Sequence, residues 1–367
     1  MTFGITVGDF GHSATKMRVD LTEVEFPHLV ARISEDDFQA AARSNPRRNP
    51  FLLHVRNPQR GIDGFFAVGD AAARSGTTLK REQRYHADYI GPMMCAGWAA
   101  AYDEGPPKFR EHAVTALYPA NDSHASDALR VALSGNWTVK CANCDFTYKF
   151  SVRQKRVRTI PEPMGGLFNV LLDEYGNQYA DWRDGFNPMI IDIGGGTMSV
   201  VELGTNYTYT RADIGPSYNV GVNDALDDFV KHLYDLGVVK SAVGADRNFL
   251  RGVLRDGYWK GRGGKELVAS VEDAIDETLD KLMATVRDKL TPHDIFAHSH
   301  IIITGGGGGL LARPLVRFLT NDEVELPESD ADFVVAAQGE GIIFADFLPQ
   351  IQFANVRGAR KSAYIEA

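Results

Sequence analysis

The stretch "IIDIGGGTMSVVEL", Ile190 to Leu203, sets two apolar β-type runs on either side of one aspartate and three glycines. Glycine weakens a strand interior and marks a tight turn or a close approach by another backbone or a ligand. The chain is therefore committed here to a buried strand, a glycine turn and a returning strand. Gly194, Gly195 and Gly196 let the backbone approach a bulky anion without Cβ clashes, and Thr197 offers a hydroxyl. Asp192 suits a divalent cation held through water, since Mg²⁺ prefers oxygen ligands and keeps several waters. A glycine-kinked strand pair with no ligand is the plain alternative.

An earlier segment, "ITVGDFGHSATKMRVD", has the same layout. Asp9 ends an apolar strand, Gly11 follows, and Ser13, Thr15 and Lys16 lie just beyond. A turn offering backbone N–H groups, a hydroxyl and an ammonium is suited to polyphosphate. An ordinary hairpin with polar turn residues would look similar. A third glycine break, "IIITGGGGGLLARPL", runs from Thr304 into Gly305, Gly306, Gly307, Gly308 and Gly309 after a buried strand. It is read as a flat opening where a nucleoside lies on bare backbone, against the alternative of a flexible loop. Neither a GxxxxGK[ST] loop nor a dinucleotide-type GxGxxG followed by helix and ribose-binding acid stands where those nucleotide sites need it.

The 367 residues allow two domains, and the 44% hydrophobic and 24% charged content is that of an ordinary globular protein. With 39 basic against 48 acidic side chains the formal charge is −9, which argues against nucleic acid or an anionic membrane as the main partner. No apolar run approaches the roughly 20 residues that span a bilayer. The first residues enter a strand pattern with no signal-peptide layout, and a cytoplasmic location is expected.

Strands and helices interleave. Residues 34–63 read as loop with a short strand at Phe51–Val55, and Tyr85–Tyr102 as a buried helix with Met93, Met94 and Trp98. Residues 111–160 read as strands, "LRVALSG" among them. Helices are expected at about Gly221–Leu236 and Glu266–Leu290. The two Asp-Gly hairpins suggest two related halves facing each other across a cleft.

Taken together, these motifs resemble the actin/Hsp70/sugar-kinase ATPase superfamily, and within it the bacterial and archaeal actin-like proteins of the plasmid-segregating ParM type. The resemblance rests on "GDFGHSATK", "FFAVGDAAARSG", "IIDIGGGT" and "IIITGGGGG", in that order along nearly the whole chain. It implies an α/β, actin-like (ribonuclease H-like) two-domain ATPase clamp with a central nucleotide cleft. Residues 1–180 would form the first domain, 181–335 the second, and 336–367 a C-terminal connecting helix returning to the first. "RTIPEPMGGLFNVLLD" looks like one connecting helix, with Glu162 at its start. "FVVAAQGEGIIFADFL" looks like the other, with Ala336, Gly339 and Gly341 as close-packing residues.

By the same resemblance, Asp9 and Asp192 would hold hydrated Mg²⁺. Gly11, His12, Ser13, Thr15, Lys16, Gly194, Gly195, Gly196 and Thr197 would cradle the phosphates of ATP or ADP, and Gly305, Gly306 and Gly307 the adenosine. Glu162 and Asp192 would be the catalytic pair, Glu162 orienting the attacking water, a positioning role suited to phosphoryl transfer. A glutamate favoured at a helix N-terminus by the dipole alone is the plain reading of Glu162. The implied function is an ATPase that polymerises into nucleotide-dependent filaments for plasmid or other DNA segregation. Its partners are itself and a DNA-binding adaptor, with no direct nucleic-acid or membrane contact. The alternative is a sugar or acid kinase of the same fold, for which no catalytic aspartate stands out. An Hsp70-type chaperone is expected to carry a substrate-binding domain, for which this chain is read as too short.

Smaller signals remain. Three cysteines are too few for a disulfide framework. Cys141 and Cys144 form a CxxC read as reduced thiols on a strand turn; a zinc site drawing on His112 and His124 is the alternative. Arg153–Arg158 is read as the solvated face of a strand. The tail "FANVRGARKSAYIEA" lacks the apolar face of a membrane-binding helix.

Overall fold

The structure is a computed structural model. It describes residues 3–11, 14–45, 47–74, 85–102, 105, 109–120, 122–179, 186–203, 214–241, 247–259, 261, 264–320, 333, 337–338, 341–346 and 348–364. Met1–Tyr179 with Phe353–Ala367 form one compact unit and Ala180–Gln352 a second.

The first unit runs β1 (Gly4–Phe10), β2 (Ala14–Val19), β3 (Thr22–Pro27), β4 (Val30–Ile33), α1 (Glu35–Ser44), β5 (Asn49–Asn57), β6 (Ile62–Val68), α2 (Asp70–Arg74) and α3 (Ala87–Ala101). It continues with β7 (His112–Tyr118), α4 (Ser123–Leu133), β8 (Gly135–Ala142), β9 (Tyr148–Val152), β10 (Val157–Pro161) and α5 (Glu162–Leu171). The second unit holds β11 (Pro188–Ile193), β12 (Met198–Glu202), β13 (Ile214–Tyr218), α6 (Val222–Asp235), α7 (Arg247–Asp256), α8 (Lys265–Leu290), β14 (His300–Thr304), α9 (Gly306–Leu310), α10 (Ala312–Leu319) and β15 (Ile342–Phe344). Helix α11 (Ala354–Ser362) belongs again to the first unit.

Each unit is built on a five-stranded sheet of one design. The first has the order β10-β7-β1-β2-β3 and the second β15-β14-β11-β12-β13. In both, the central strand pairs antiparallel with the next strand in sequence and parallel with a later one. Central strands covered on both faces read as continuous apolar runs, and every residue of β1 and β11 is buried. The expectation of two related halves is thus met as a repeated sheet topology. A second, antiparallel sheet, β4-β6-β5-β8-β9, is inserted in the first unit. The second unit instead carries the helices α6, α7 and α8, whose apolar faces meet around Phe229, Val253 and Ile275.

Several sequence expectations change. Residues 35–44 are helix, not loop: Ser34 caps α1 by accepting from the Asp37 amide at 3.0 Å, acids fill its first turn, and Phe38 anchors it. "LRVAL" belongs to α4, because Ala125, Leu129, Ala132 and Leu133 are buried at helical spacing and Asp122 caps the start. The basic run is not one strand face: Gln154–Arg156 form a 3₁₀ turn, and Arg153 and Arg156 pair with Glu111 at 2.6 and 3.1 Å. Cys141 and Cys144 are bonded to each other, so the reading as two reduced thiols is replaced; Asn143, at φ 56°, turns the chain so their Cα atoms lie 5.4 Å apart, inside the disulfide range.

The second connecting helix also moves. Of "FVVAAQGEGIIFADFL", residues 342–344 are the strand β15, and Ala336 and Gly339 lie outside the described residues. Helix α11 packs against α5 instead. A Cβ on Gly358 would run into the Gly165 carbonyl and the Asn169 amide, and one on Gly165 into the Asn355 backbone. Arg357 of α11 donates from Nε and Nη2 to Glu23 of β3 at 2.7 and 2.8 Å. Those hydrogen bonds hold the Glu23 carboxyl below the usual carboxylate range. Among the described residues no helix is long and apolar enough to cross a membrane.

Candidate functional site

In a sheet with parallel strands, ligands gather beyond the carboxyl ends of those strands. In the first unit β1, β7 and β10 run parallel with Asp9 opposite Leu117 and Leu117 opposite Ile160. Asp9, the Gly11 turn and Glu162, the first residue of α5, therefore share one edge of the sheet. In the second unit Asp192 of β11 stands opposite Thr304 of β14, so the Gly194 turn and Gly305 share the corresponding edge.

Asp9 is buried, 6% exposed, and pairs in register with Lys16. Lys16 Nζ lies 3.9 Å from Asp9 Oδ2. Asp9 Oδ1 is buried with no hydrogen-bond partner among the described residues. Burial pushes the Asp9 carboxyl up from its ordinary value, outweighing the opposing pull of the Lys16 charge and the Gly11 amide. A carboxylate kept in this state is open to a cation. Strand periodicity sets Lys16 on the face of Asp9 and Thr15 on the other. Thr15 is fully buried, its hydroxyl 3.0 Å from His28 Nδ1 and donating to Met93 Sδ at 3.3 Å, so its expected phosphate contact is corrected to a core contact. His12 and Ser13 lie outside the described residues.

The second hairpin is closed by the Gly194 amide donating to the Thr197 carbonyl at 2.8 Å. Residues Gly194 to Thr197 are half-buried. The turn is docked on the start of α6: Val222 and Asn223 donate their amides to the carbonyls of Gly194 and Gly195 at 3.3 and 2.7 Å. Gly221 permits this, since a Cβ there would lie 2.7 Å from the Gly195 carbonyl and the Gly196 amide nitrogen. With the carbonyls committed to α6, the amides of Gly195 and Gly196 have no hydrogen-bond partner among the described residues. Such adjacent free amides form a concavity for an anion. The docking on α6 was not foreseen from the sequence; the Gly before the helix in "NVGVNDAL" was its only trace.

The glycine run after β14 corrects the expectation of bare open backbone. Gly305 has φ 81°, and a Cβ on it would meet Asp192 Oδ1 and the Ile193 carbonyl. Gly306 to Gly309 form the first residues of α9, with the Leu311 amide donating to Gly307 at 2.9 Å. Gly305 and Gly307 are buried against Asp192 and Ile193, and Gly306 is exposed. These glycines first serve close packing on the end of β11.

No protein-family model and no curated protein sequence matches the chain. Solved structures do. A 15-stranded ParM filament from Clostridium botulinum superposes with a TM-score of 0.69 at 15% identity, covering 100% of both chains. The actin-like protein Alp7A gives 0.66 at 15% identity over 99% of this chain and 96% of its own. A Bacillus thuringiensis ParM with ATP gives 0.63 at 14% identity, over 100% and 99%. With the duplicated sheets and their paired Asp-Gly hairpins, this likeness shows that the chain has an actin-like fold of the ParM type.

Proposed function

We propose that the chain binds Mg-ATP, hydrolyses it and assembles into nucleotide-dependent filaments. The observation that carries this reading is the buried, unpartnered Asp9 Oδ1 in the same register as Asp192. A buried carboxylate oxygen held without a hydrogen-bond donor fits a hydrated divalent cation, which would add to the Lys16 charge beside Oδ2. When bound, Mg²⁺ neutralises phosphate charge and orients the transferred group. The chain's own groups do the rest. Gly11, Gly195 and Gly196 offer amides to phosphate oxygens, Lys16 adds a point charge beside Asp9, and Thr197 offers its hydroxyl. Glu162, half-buried at the start of α5 after Pro161, orients the attacking water.

Filament assembly is supported by likeness to ParM solved as a filament, and nucleotide binding by likeness to ParM solved with ATP, with ADP and with AMPPNP. Moving plasmid or other DNA in the cytoplasm through a DNA-binding adaptor is the corresponding role. The chain's −9 charge favours an adaptor, not this chain, as the DNA-contacting partner.

Titration calorimetry with ATP in Mg²⁺ and in EDTA, beside a phosphate-release assay, tests the reading. Micromolar or tighter binding that needs Mg²⁺, with phosphate release lost in Glu162→Gln while binding remains, is the expected result. Absence of ATP binding at millimolar nucleotide would overturn it.

A further inference from the structure

We propose that Cys141 and Cys144 are a reversible thiol–disulfide switch, exchanging with small thiols and disulfides of the glutathione class, and that its state sets the rigidity of the connection from α1 to β5. The inference does not depend on nucleotide binding.

The pair sits where exchange is feasible. Cys141, at the end of β8, is fully buried, while Cys144 is half-buried and reachable from solvent. The bond closes a ring of only four residues, with the Cys144 amide donating to the Cys141 carbonyl at 3.3 Å. The stabilisation a disulfide confers shrinks as the closed loop shortens, so a ring this small is held with little advantage over its dithiol. The remaining cysteine, Cys95, is fully buried, its thiol pushed up by that burial, and does not compete. Among the described residues no group of three or more histidine, cysteine or acidic side chains gathers to hold a metal.

The turn also carries a load. Asn143 lies between the two cysteines, exposed and at φ 56°. Its side-chain amide donates to the carbonyls of Ala42 at 2.9 Å and Asn45 at 2.7 Å, with a longer contact to Arg47 at 3.4 Å. Ala42 is in the last turn of α1 and Asn45 is its C-cap. Asn49, at the start of β5, pairs with Ala142 inside the same turn. The disulfide fixes the left-handed Asn143 conformation that aims this amide, and the dithiol releases it.

The exchange balances. In reduction, a small thiolate attacks the half-buried Cys144 sulfur, the S–S bond breaks and Cys141 leaves as a thiolate. A second thiolate attacks the mixed disulfide, freeing Cys144 and a small disulfide, and both cysteines take protons from water. Oxidation is the reverse, two electrons passing to the small disulfide.

The full chain is equilibrated in glutathione buffers of graded ratio, alkylated and weighed, with limited trypsin digestion run in parallel. Two thiols are expected to appear together and reversibly while Cys95 stays unlabelled. Cleavage after the exposed Arg43 and Arg47 should quicken by about an order of magnitude on reduction, as local opening becomes easier. Cys141→Ser/Cys144→Ser should cleave at the reduced rate in every buffer. Asn143→Ala should cleave fast in both states yet titrate as the wild type. A pair that does not change state across the buffers, a stoichiometric bound metal, or equal cleavage of oxidised and reduced wild type would each overturn the proposal.

Discussion

Asp9 and Asp192 occupy the same register in two sheets of one design. Each is the penultimate residue of its central strand, opposite a hairpin partner on one side, Lys16 or Ser199, and a parallel strand on the other, Leu117 or Thr304. Both are 6% exposed. Burying an ionised carboxylate is unfavourable unless something compensates it. Among the described residues Asp9 Oδ1 has no hydrogen-bond partner, and the proposed binding of a hydrated cation starts from that oxygen.

Asp9→Asn separates folding from binding. Removing the buried charge should raise the ligand-free melting temperature at pH 7 by roughly 2–4 °C, about 1 kcal/mol for a unit of this size. In the wild type, Mg-ATP at 100 times its Kd should add about 2.7 kcal/mol, and in Asp9→Asn that increment should vanish. Thermal unfolding with and without Mg-ATP reads both.

Gly305 tests whether the glycine run is packing or opening. Gly305→Ala would force a Cβ into Asp192 Oδ1 at a positive φ. Destabilisation of about 1–3 kcal/mol is expected from the backbone conformation alone, with weaker ATP binding from the displaced Asp192. Gly306→Ala, at an exposed position with open surroundings, should be tolerated within about 0.5 kcal/mol. Equal effects in urea denaturation would contradict the packing account.

Docking of α11 on α5 depends on Gly165 and Gly358. Gly358→Ala should cost about 3 kcal/mol or more, because backbone and not a flexible side chain stands in the way. Arg357→Ala should cost about 1 kcal/mol, since solvent screens the partly exposed Glu23 pair. Amide exchange in 354–362 should rise in both variants, and more in the first.

Three groups shape the acid limb. Burial holds His112 below the ordinary histidine value, where Thr6 Oγ1 and the Phe109 carbonyl flank its ring. A depressed histidine stabilises the fold above its unfolded value, about 6.5, and that contribution is lost as pH falls. Glu23, also depressed, adds a loss beginning below about 4.5. Asp9 is raised, so its penalty relaxes on acidification and opposes both. Wild-type stability should therefore fall from pH 7 to 5.5, and His112→Gln, less stable overall by about 1–3 kcal/mol, should lose that slope. Urea midpoints at the two values measure it.

What the sequence disclosed follows the range of the forces involved. The Asp-Gly hairpins were legible because turn chemistry is local and their flanking strands are continuously apolar. Helix α1 was hidden by its polar composition, although Ser34 and three acids already marked an N-terminus. Helix α4 was misread because "LRVAL" also alternates, and only burial of Ala125, Leu129 and Leu133 on one side decides its period. Thr15 and Lys16 are adjacent in sequence, and which one faces Asp9 is settled by strand register. Gly358 could not be singled out, because its role exists only where α11 meets Gly165.

The most direct measurement is right-angle light scattering of the purified protein with Mg-ATP, Mg-ADP or ATP plus EDTA, followed by pelleting. The account predicts a rise and a pellet with Mg-ATP, neither with EDTA, and loss of both in Asp192→Ala. ATP-independent assembly, or no assembly at high protein concentration with Mg-ATP bound, would contradict it.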